Sequence, residues 1–380
     1  MIDTVLNTLT QLPHYLVSFV IVLTVIVFVH EFGHYLVARL CGVKIEVFSI
    51  GFGREILGFN DRTGTRWKFS ILPLGGYVKM FGDAGAASTA DVDKIEAMSA
   101  AEKKISFHYQ ALWKKALIVA AGPAANFLLT IAVFTFFIFT TGLTSTEPVV
   151  GSVMKDSAAA EAGLREGDRI LSLDGKKMRR FDDISAAMMI SVGKPVTLEV
   201  KRQNKRFTLI LTPRMFKDED VIGNPVIRPI LGISSQKIVF KDVGLATALV
   251  EAVKRTYGLC VASLRVLGQM IAGERSAEEL KGPIGIAKLS GDVTQQGESI
   301  SETARTVLWF IALLSANLGL INLFPIPMLD GGHLAFYAIE GVRGRPMAER
   351  FQEFGYRIGV VFIATLMAFT LFNDLRQLIF

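Results

Sequence analysis

Long apolar runs alternate with shorter and more polar segments along the whole chain. Four of these runs reach the length of about 20 residues that a helix needs to cross a bilayer. The other segments alternate or are mostly polar, which is typical of strands and of soluble structure. We therefore predict a polytopic α-helical membrane protein with four transmembrane helices, at about Tyr15 to Leu40, Leu117 to Leu143, Thr306 to Phe324 and Tyr356 to Phe372.

The segment between the first two apolar runs, Val43 to Phe81, has a β-pattern. Apolar and polar residues alternate near both of its ends, and Asp61 to Gly64 is typical of a turn. We expect a second turn at Gly51 to Gly53. Gly75 and Gly76 would let another backbone approach closely, and the edge of such a hairpin could hold an extended peptide. A plain hairpin whose glycines only form turns is an equally good interpretation.

Small residues precede the second apolar run and also open it. Ala84 to Ala101 is small, polar and acidic, and we expect a mobile loop there. The run itself opens with Ala120-Ala-Gly-Pro-Ala-Ala-Asn126, where small residues allow close helix packing and Pro123 disturbs the helix. Asn126 is interpreted as a hydrogen-bonding contact between helices.

The composition fits a membrane protein with a soluble part. Of the 380 residues, 51% are hydrophobic and 20% are charged. The formal net charge is +6, but the basic residues form no long run, so we expect no nucleic-acid partner. Cys41 and Cys260 form neither a CxxC motif nor a disulfide framework. No cleavable signal peptide is predicted, because Met1 to His14 has no positively charged region.

Lysine and arginine residues near the apolar runs predict the orientation in the membrane. None precedes the first run, whereas basic residues follow the first run, precede the second and separate the third from the fourth, namely Arg39, Lys44, Lys114, Lys115, Arg343, Arg345 and Arg350. Both chain ends and the long segment after the second run are therefore predicted to face outward. The end of the first run lies toward the cytoplasm.

Pro148 to Ser235 has the pattern of a small soluble α+β domain. It contains short strands, a short helix ended by Gly163, a longer helix at Phe181 to Ser191 and a final hairpin. The string Ala162-Gly-Leu-Arg-Glu-Gly-Asp-Arg-Ile-Leu-Ser-Leu-Asp-Gly175 resembles a bacterial PDZ domain. We therefore expect one inserted PDZ domain, which either accepts an extended peptide end or acts as a passive steric cap.

Lys237 to Gly273 is amphipathic and could be mistaken for a fifth span. Arg265 lies in its middle, so a helix lying on the membrane surface is the better interpretation. A fifth crossing would also carry Asp330 to the other side of the membrane. The following segment, Lys281 to Ile286, is expected to be a turn that leads back to the membrane.

A metal-binding pattern, His30-Glu31-Phe32-Gly33-His34, closes the first apolar run. On a helix, residues four apart share a face, so His30 and His34 can offer two imidazole nitrogens to one zinc ion. Glu31 stands beside them as a general base. Ionisable groups in an apolar run are costly and indicate a functional site.

A catalytic zinc needs a third protein ligand as well as an open position. Pro325 and Pro327 interrupt the third apolar run shortly before Asp330, and such broken helices line cavities at membrane depth. Asp330 is the predicted third ligand, and its alternative role is to cap a helix start. His333 is a rival ligand that we instead expect to be structural. Cys41 is a poor candidate, because it lies off the helix face of His34.

These motifs in combination resemble the site-2 protease family of intramembrane zinc metalloproteases, in its bacterial RseP type. The resemblance rests on HEFGH, GPAAN, the PDZ-like insertion and NLFPIPMLDGG, and it covers nearly the whole chain. It implies one zinc per chain on His30, His34 and Asp330, with Glu31 as the catalytic base. Asn322 would contact or gate the substrate. The Val43 to Phe81 hairpin would be a re-entrant sheet that pairs with unwound substrate.

Further expectations follow from the same resemblance. We expect substrate binding by Asn322 and by the hairpin glycines Gly51, Gly53, Gly75 and Gly76. We expect structural or gating roles for Asn126, Pro325 and Pro327. The enzyme would act in regulated intramembrane proteolysis in a stress response at the bacterial inner membrane. It would cut single-span proteins, such as a trimmed anti-sigma factor or remnant signal peptides. One departure is visible, because the segment has room for one PDZ domain and not for two.

The predicted domains are a membrane region over 1–142, a PDZ domain over 148–235, an interfacial helix and connector over 236–300, and a second membrane region over 301–380. We expect a monomer in a lipid bilayer, with both chain ends and the PDZ domain in the periplasm. A rival interpretation is a non-proteolytic scaffold or a metal transporter. A third is an HExxH protease that cuts outside the bilayer.

Overall fold

The computed structural model describes residues 2–85, 91–145, 147–191, 194–219, 225–235, 239–295, 297, 299–345, 347 and 349–379. The chain divides into two compact units. The first comprises Met1–Val133 with Glu278–Phe380, and the second comprises Phe134–Ala277.

The first elements in chain order are α1 (Ile2–Leu40), β1 (Ile45–Asn60), β2 (Arg66–Met80), α2 (Val92–Glu96), α3 (Ala100–Ile105) and α4 (Leu112–Thr141). Next come β3 (Leu143–Ser145), β4 (Val150–Val153), α5 (Ala158–Glu161), β5 (Arg169–Leu173), β6 (Lys176–Lys177), α6 (Phe181–Ile190), β7 (Val196–Arg202), β8 (Lys205–Leu211), β9 (Arg214–Glu219), β10 (Pro225–Ile230), β11 (Ile233–Ser235) and β12 (Val239–Lys241). The remaining elements are α7 (Leu245–Ile271), a 3-10 turn at Ala277–Glu279, α8 (Pro283–Gln295), α9 (Ile300–Asn322), α10 (Asp330–Arg343) and α11 (Glu349–Ile379).

Among the described residues, four helices are long and apolar enough to cross a membrane. They are Thr10–Leu40 in α1, Leu112–Thr141, Ile300–Asn322 and Arg350–Gln377 in α11. Each overlaps one of the four predicted spans, so the prediction of four long apolar helices is confirmed. Helix α4 continues through Pro123, because neighbouring helices and side chains can satisfy the backbone groups that a proline leaves free.

The hairpin of β1 and β2 departs from its prediction at one point. Gly51 and Gly53 do not form a turn, because β1 runs straight through them. Both have a φ of +88°, and the pairing with β2 shifts register there, which is the signature of a β-bulge. The bulge bends β1 so that its two halves pair with opposite edges of residues 66–69 in β2. The expected turn at Asp61 to Gly64 is present, and the Asp61 carboxylate accepts hydrogen bonds from two backbone amides within it.

The bent hairpin has four short rows of backbone. Residues 76–80 of β2 pair with residues 45–50 of β1. On their other side, residues 45–50 pair with residues 66–69 of β2, and residues 66–69 also pair with residues 57–60 of β1. Residues 76–80 therefore form an outer row, with no second β partner among the described residues. This row lies on the side of α1 that carries Glu31.

The expected mobile loop at Ala84 to Ala101 is wrong over its second half. Residues 86–90 lie outside the described residues, but α2 and the start of α3 follow directly. Asp91 and Ser99 begin these two helices, and Ser99 and Glu102 form a capping box. Such caps stabilise short helices even in a polar segment.

The second unit contains the strands and helices that the Pro148 to Ser235 pattern predicts. Strands are ordered β6-β5-β7-β8 in one sheet, and β4 pairs separately with β11. Its core buries apolar side chains from β4, β5, α6 and β7, among them Val150, Ile170, Ile184, Leu198 and Val200. The buried Asp168 carboxylate is paired with Arg202 at 2.7 Å. Strands β3 and β12 pair at the two ends of this segment.

The expected turn at Lys281 to Ile286 is also wrong, because helix α8 begins at Pro283. Proline suits the first position of a helix, where its missing N–H is not needed. The Asp374 carboxylate of α11 accepts hydrogen bonds from the backbone amides of Gly282 and Gly285, both at 2.9 Å, and so caps this start. Helix α8 then packs on α1, where Thr294 contacts His14 at 2.7 Å.

The predicted break in the third apolar run lies between α9 and α10. Helix α9 ends at Asn322, and α10 begins at Asp330. Gly331 and Gly332 lie in the first turn of α10. A Cβ at Gly332 would lie 2.7 Å from the Cα of Pro327, so the glycine lets the intervening loop fold back against the helix.

Candidate metal centre

The two histidines of the HExxH pattern lie on one face of α1, as their spacing requires. The Nε2 atoms of His30 and His34 are 3.2 Å apart, and both residues are more than nine-tenths buried. Their rings meet edge to face. Helical spacing alone creates this pair, because residues four apart stack along the same face.

Asp330 completes the cluster from the start of α10. Its carboxylate oxygens lie 3.2 Å from His30 Nε2 and 3.5 Å from His34 Nε2. Burial would raise the pKa of Asp330, but the adjacent histidines His34 and His30 lower it overall. The structure thus brings together the three residues that the sequence selected as ligands.

The spacing of this cluster fits a zinc ion. Zinc binds imidazole nitrogen at about 2.0–2.1 Å in tetrahedral geometry, which places neighbouring ligand atoms about 3.4 Å apart. The two Nε2 atoms are 3.2 Å apart, and His30 and His34 lie 3.2 and 3.5 Å from different oxygens of Asp330, so these separations are close to this value. Two imidazoles and a carboxylate also form a donor set that zinc commonly uses while retaining an open position.

Helix α4 supports the two imidazoles from behind. His34 Nδ1 lies 2.9 Å from the backbone carbonyl of Ile118, and His30 Nδ1 lies 3.2 Å from the side-chain amide of Asn126. A Cβ at Gly122 would lie 2.5 Å from His34 Cε1 and 2.9 Å from His30 Cε1. Only glycine therefore lets α4 approach the histidine rings this closely.

A cavity of about 220 Å³ opens beside the cluster. It is lined by the three candidate ligands and by Glu31, Gly76, Asn322 and His333, together with Tyr77 and Val78 of the outer row. Asn322 Nδ2 lies 3.3 Å from His30 Nε2. The structure therefore gathers the candidate base, the candidate substrate contact Asn322 and one hairpin glycine around one space.

Gly76 makes the contact between the hairpin and α1. A Cβ there would lie 2.7 Å from the Ser49 carbonyl oxygen, 2.8 Å from Val27 Cγ1 and 3.0 Å from Glu31 Cγ. Because Gly76 has no side chain, the outer row of the sheet can pack directly against Glu31.

The other candidates from the sequence do not line this cavity. Gly51 and Gly53 form the bulge of β1, and Gly75, with a φ of +117°, faces the ring of Phe52. Pro325 and Pro327 lie in the loop before α10. They shape the approach of Asp330 without facing the cluster.

The sequence offered two further residues as possible ligands, His333 and Cys41. His333 lines the cavity, its Nδ1 atom is 3.5 Å from the Tyr356 hydroxyl, and burial lowers its pKa, so the ring is neutral. Cys41 is not in the cluster, and its backbone carbonyl accepts a hydrogen bond from Lys114.

The sequence did not reveal the role of Gly122, although the GPAAN string contains this glycine. The contact between His34 and the Ile118 carbonyl could not be predicted, because every residue has a backbone carbonyl.

The fold and the donor set together define the class of protein. An HExxH helix facing a partly buried carboxylate, with four long apolar helices among the described residues, is typical of a membrane zinc metalloprotease. The model of peptidase family M50, the site-2 protease family, matches residues 18–366. The chain belongs to this family, which confirms the resemblance found in the sequence.

Curated relatives match over nearly the full chain. A protein of Agrobacterium fabrum named as a zinc metalloprotease is 41% identical over 99% of this chain and 100% of its own. The metalloprotease MmpA of Caulobacter vibrioides is 36% identical over 95% of each chain. Among solved structures, the PDZ domain of the SdrC-like protein from Listeria monocytogenes shares 24% identity over 24% of this chain and 90% of its own, with a TM-score of 0.19. At that TM-score the likeness adds nothing to the strand order.

Proposed function

We propose that the chain is an intramembrane endopeptidase that cuts single-span membrane proteins. The observation that carries this proposal is the shared cavity, which places the HExxH residues, Asp330 and the outer row of the sheet around one space. A metal site beside an unpaired strand is suited to hydrolysis of an extended backbone.

The residues of the cluster divide the chemistry between them. His30, His34 and Asp330 would hold one zinc ion per chain, which when bound supplies Lewis acidity for the attacking water and the scissile carbonyl. Glu31 takes the proton of that water and later delivers it to the leaving amine. The position of Glu31 in the cavity wall, beside His30, supports this assignment.

Substrate binding would use the sheet edge. A peptide bond inside a membrane helix is shielded by the hydrogen bonds of its own helix, so the substrate must unwind before attack. Residues 76–80 would pair with the opened backbone and replace those bonds. Asn322 lines the same cavity and would contact or gate the substrate there.

The hairpin would lie in the membrane as a re-entrant sheet. Ile56, Leu57 and Phe59 of β1 are 62%, 69% and 60% exposed, and such apolar exposure is costly in water. Helix α7 would lie on the membrane surface, because its exposed residues Leu245 and Leu249 share one face.

The cellular setting follows from the basic residues and from the family resemblance. We place the protein in the bacterial inner membrane, with both chain ends and a PDZ domain over 148–235 in the periplasm and the active site toward the cytoplasm. Its substrates would be anti-sigma factors already trimmed outside, or remnant signal peptides, in regulated intramembrane proteolysis during stress. The PDZ domain would discourage untrimmed substrates. The working unit would be a monomer.

A rival proposal is a non-proteolytic scaffold or a metal transporter. The described residues contain four helices long enough to span a membrane, and the sequence shows no internal repeat, which argues against transport. Metal flux into proteoliposomes without any peptide cleavage would favour it instead.

The test is cleavage of a purified single-span model substrate in detergent by the wild type, Glu31→Gln and Glu353→Gln. Glu353 is exposed on α11 and serves as the matched control. We expect cleavage by the wild type and the control, no cleavage by Glu31→Gln, and about one zinc per chain in all three. Activity that survives in Glu31→Gln would refute the assigned base.

A further inference from the structure

The two ring nitrogens of His30 have different surroundings. Nε2 faces Asp330 and His34, so this is the atom that would bind a metal ion. A neutral imidazole that binds through Nε2 carries its proton on Nδ1, and that N–H needs an acceptor. The neighbour of Nδ1 is the side-chain amide of Asn126, at 3.2 Å.

His34 shows what such an acceptor does. Its Nδ1 lies 2.9 Å from the Ile118 carbonyl, which can only accept, so His34 is fixed with Nε2 free. The contact of His30 Nδ1 comes instead from the Asn126 side chain, which lies about two turns after Ile118 along α4. The tautomer of His30 therefore depends on which atom of the Asn126 amide faces it.

As placed, the amide nitrogen of Asn126 faces His30 and its Oδ1 is buried without a hydrogen-bond partner. The oxygen and nitrogen of an amide have nearly the same shape, so their assignment follows from the hydrogen bonds. Turning the amide by about 180° exchanges the unpartnered acceptor for an unpartnered N–H group. The proton on His30 Nδ1 decides between the two orientations of the Asn126 amide. If the amide nitrogen faced Nδ1–H, two hydrogen-bond donors would face each other, so the amide oxygen must face it.

We propose that Asn126 is a positioning residue of the metal centre, whose side-chain oxygen accepts the Nδ1–H of His30. This contact fixes the tautomer that leaves Nε2 free and aims the ring at Asp330. The inference rests on the proposed role of His30 as a ligand. It gives Asn126 a function beyond the helix contact that its place in the GPAAN string indicates.

The backbone around Asn126 is held independently of its side chain. Its carbonyl oxygen accepts hydrogen bonds from the hydroxyls of Thr130 and Ser315, both at 3.1 Å. The contact between α4 and α9 therefore persists when the amide is replaced, so side-chain variants test the amide and not the helix packing.

The experiment measures zinc affinity of the full chain in detergent, by competition with a chromophoric chelator, for the wild type, Asn126→Leu and Asn126→Asp. Leucine has a similar size and no acceptor, and we expect it to weaken binding 10- to 100-fold, as is usual when the partner of a ligand histidine is lost. Aspartate retains the acceptor and should bind within about threefold of the wild type. Asn317→Leu on α9 is the matched control and should leave the affinity unchanged.

Two results would overturn the proposal. If Asn126→Leu binds zinc like the wild type, the side chain does not position His30. If Asn126→Asp loses as much affinity as Asn126→Leu, an acceptor is not what His30 needs. Absorption of the cobalt-substituted protein gives a second measurement, because a reoriented His30 changes the tetrahedral spectrum. None of these readouts involves cleavage, so a wild type that binds zinc and cuts nothing would refute only the proposed function.

Discussion

Replacing Gly122 by alanine is the sharpest test of how α4 supports the metal centre. The new Cβ would lie 2.5 Å from His34 Cε1 and 2.9 Å from His30 Cε1, and closer still to His34 Nε2. Carbon atoms pack at about 3.5–4.0 Å, so the His34 ring must retreat by about 1 Å. His34 cannot do so freely, because its Nδ1 is held by the Ile118 carbonyl.

The size of the effect follows from this displacement. Metal–ligand distances tolerate changes of about 0.2 Å, so a shift of about 1 Å removes at least one histidine from the site. We expect zinc affinity to fall at least about 100-fold, which corresponds to about 2.8 kcal/mol. Overpacking should also lower the free energy of unfolding by about 1–3 kcal/mol.

The assay is zinc content by mass spectrometry after chelator competition, together with a thermal unfolding curve of each purified protein. Gly258→Ala is the matched control, since a Cβ at this helical glycine of α7 meets nothing within 4 Å. A Gly122→Ala protein that folds and binds zinc with wild-type affinity would refute the reasoning. Loss of zinc in the control would show that the assay reports general instability.

Three further predictions concern packing and charge. Gly33→Ala places a Cβ 2.7 Å from that of Ala125, and overpacking should lower stability by about 1–3 kcal/mol in thermal unfolding. Asp374→Ala removes the cap of α8 and should cost about 1–2 kcal/mol, whereas Asp374→Asn should retain most of the stability. Burial would raise the pKa of Asp168, but the hydrogen bond from Arg202 leads the contacts that lower it overall. This carboxylate therefore stabilises the fold above its unfolded pKa of about 3.9, and its contribution is lost as the pH falls through the lower folded pKa.

Each of these three predictions has an outcome that contradicts it. An unchanged melting temperature for Gly33→Ala would mean that α1 and α4 can separate without loss. Equal melting temperatures for Asp374→Ala and the wild type would show that the α8 amides find other acceptors. For the ion pair, Arg202→Met should lower the melting temperature at neutral pH, and the difference from the wild type should shrink as the pH falls below the unfolded pKa of Asp168. A constant difference across the pH series would exclude the pairing as the cause.

The part of the site that lies within one helix was predictable from the sequence. His30 and His34 are four residues apart, and helix geometry alone places them together. Asp330 could be selected because two prolines end the preceding helix and few carboxylates occur near the membrane segments. Its distance from the histidines depends on how α10 packs, and no local pattern contains that information.

Two of the wrong predictions share one cause, which is that Gly and Pro were interpreted without the distant residues that contact them. Gly51 and Gly53 have the composition of a turn, but β2 holds them in a bulge. The glycines and proline at the start of α8 also suggest a turn, but the Asp374 carboxylate of α11 accepts hydrogen bonds from Gly282 and Gly285 and so caps a helix there. Glycine and proline occur in turns, in β-bulges and at helix starts, so the local sequence does not distinguish these structures.

The order of the ligands along the chain has a consequence for biosynthesis. His30 and His34 leave the ribosome early, whereas Asp330 follows about 300 residues later, after a translation time of about 15–60 s at 5–20 residues per second. During that time the nascent chain holds two of its three candidate ligands and lacks the wall that α10 contributes to the cavity. A metal centre assembled in this order stays incomplete until α10 has been synthesised and packed against α1.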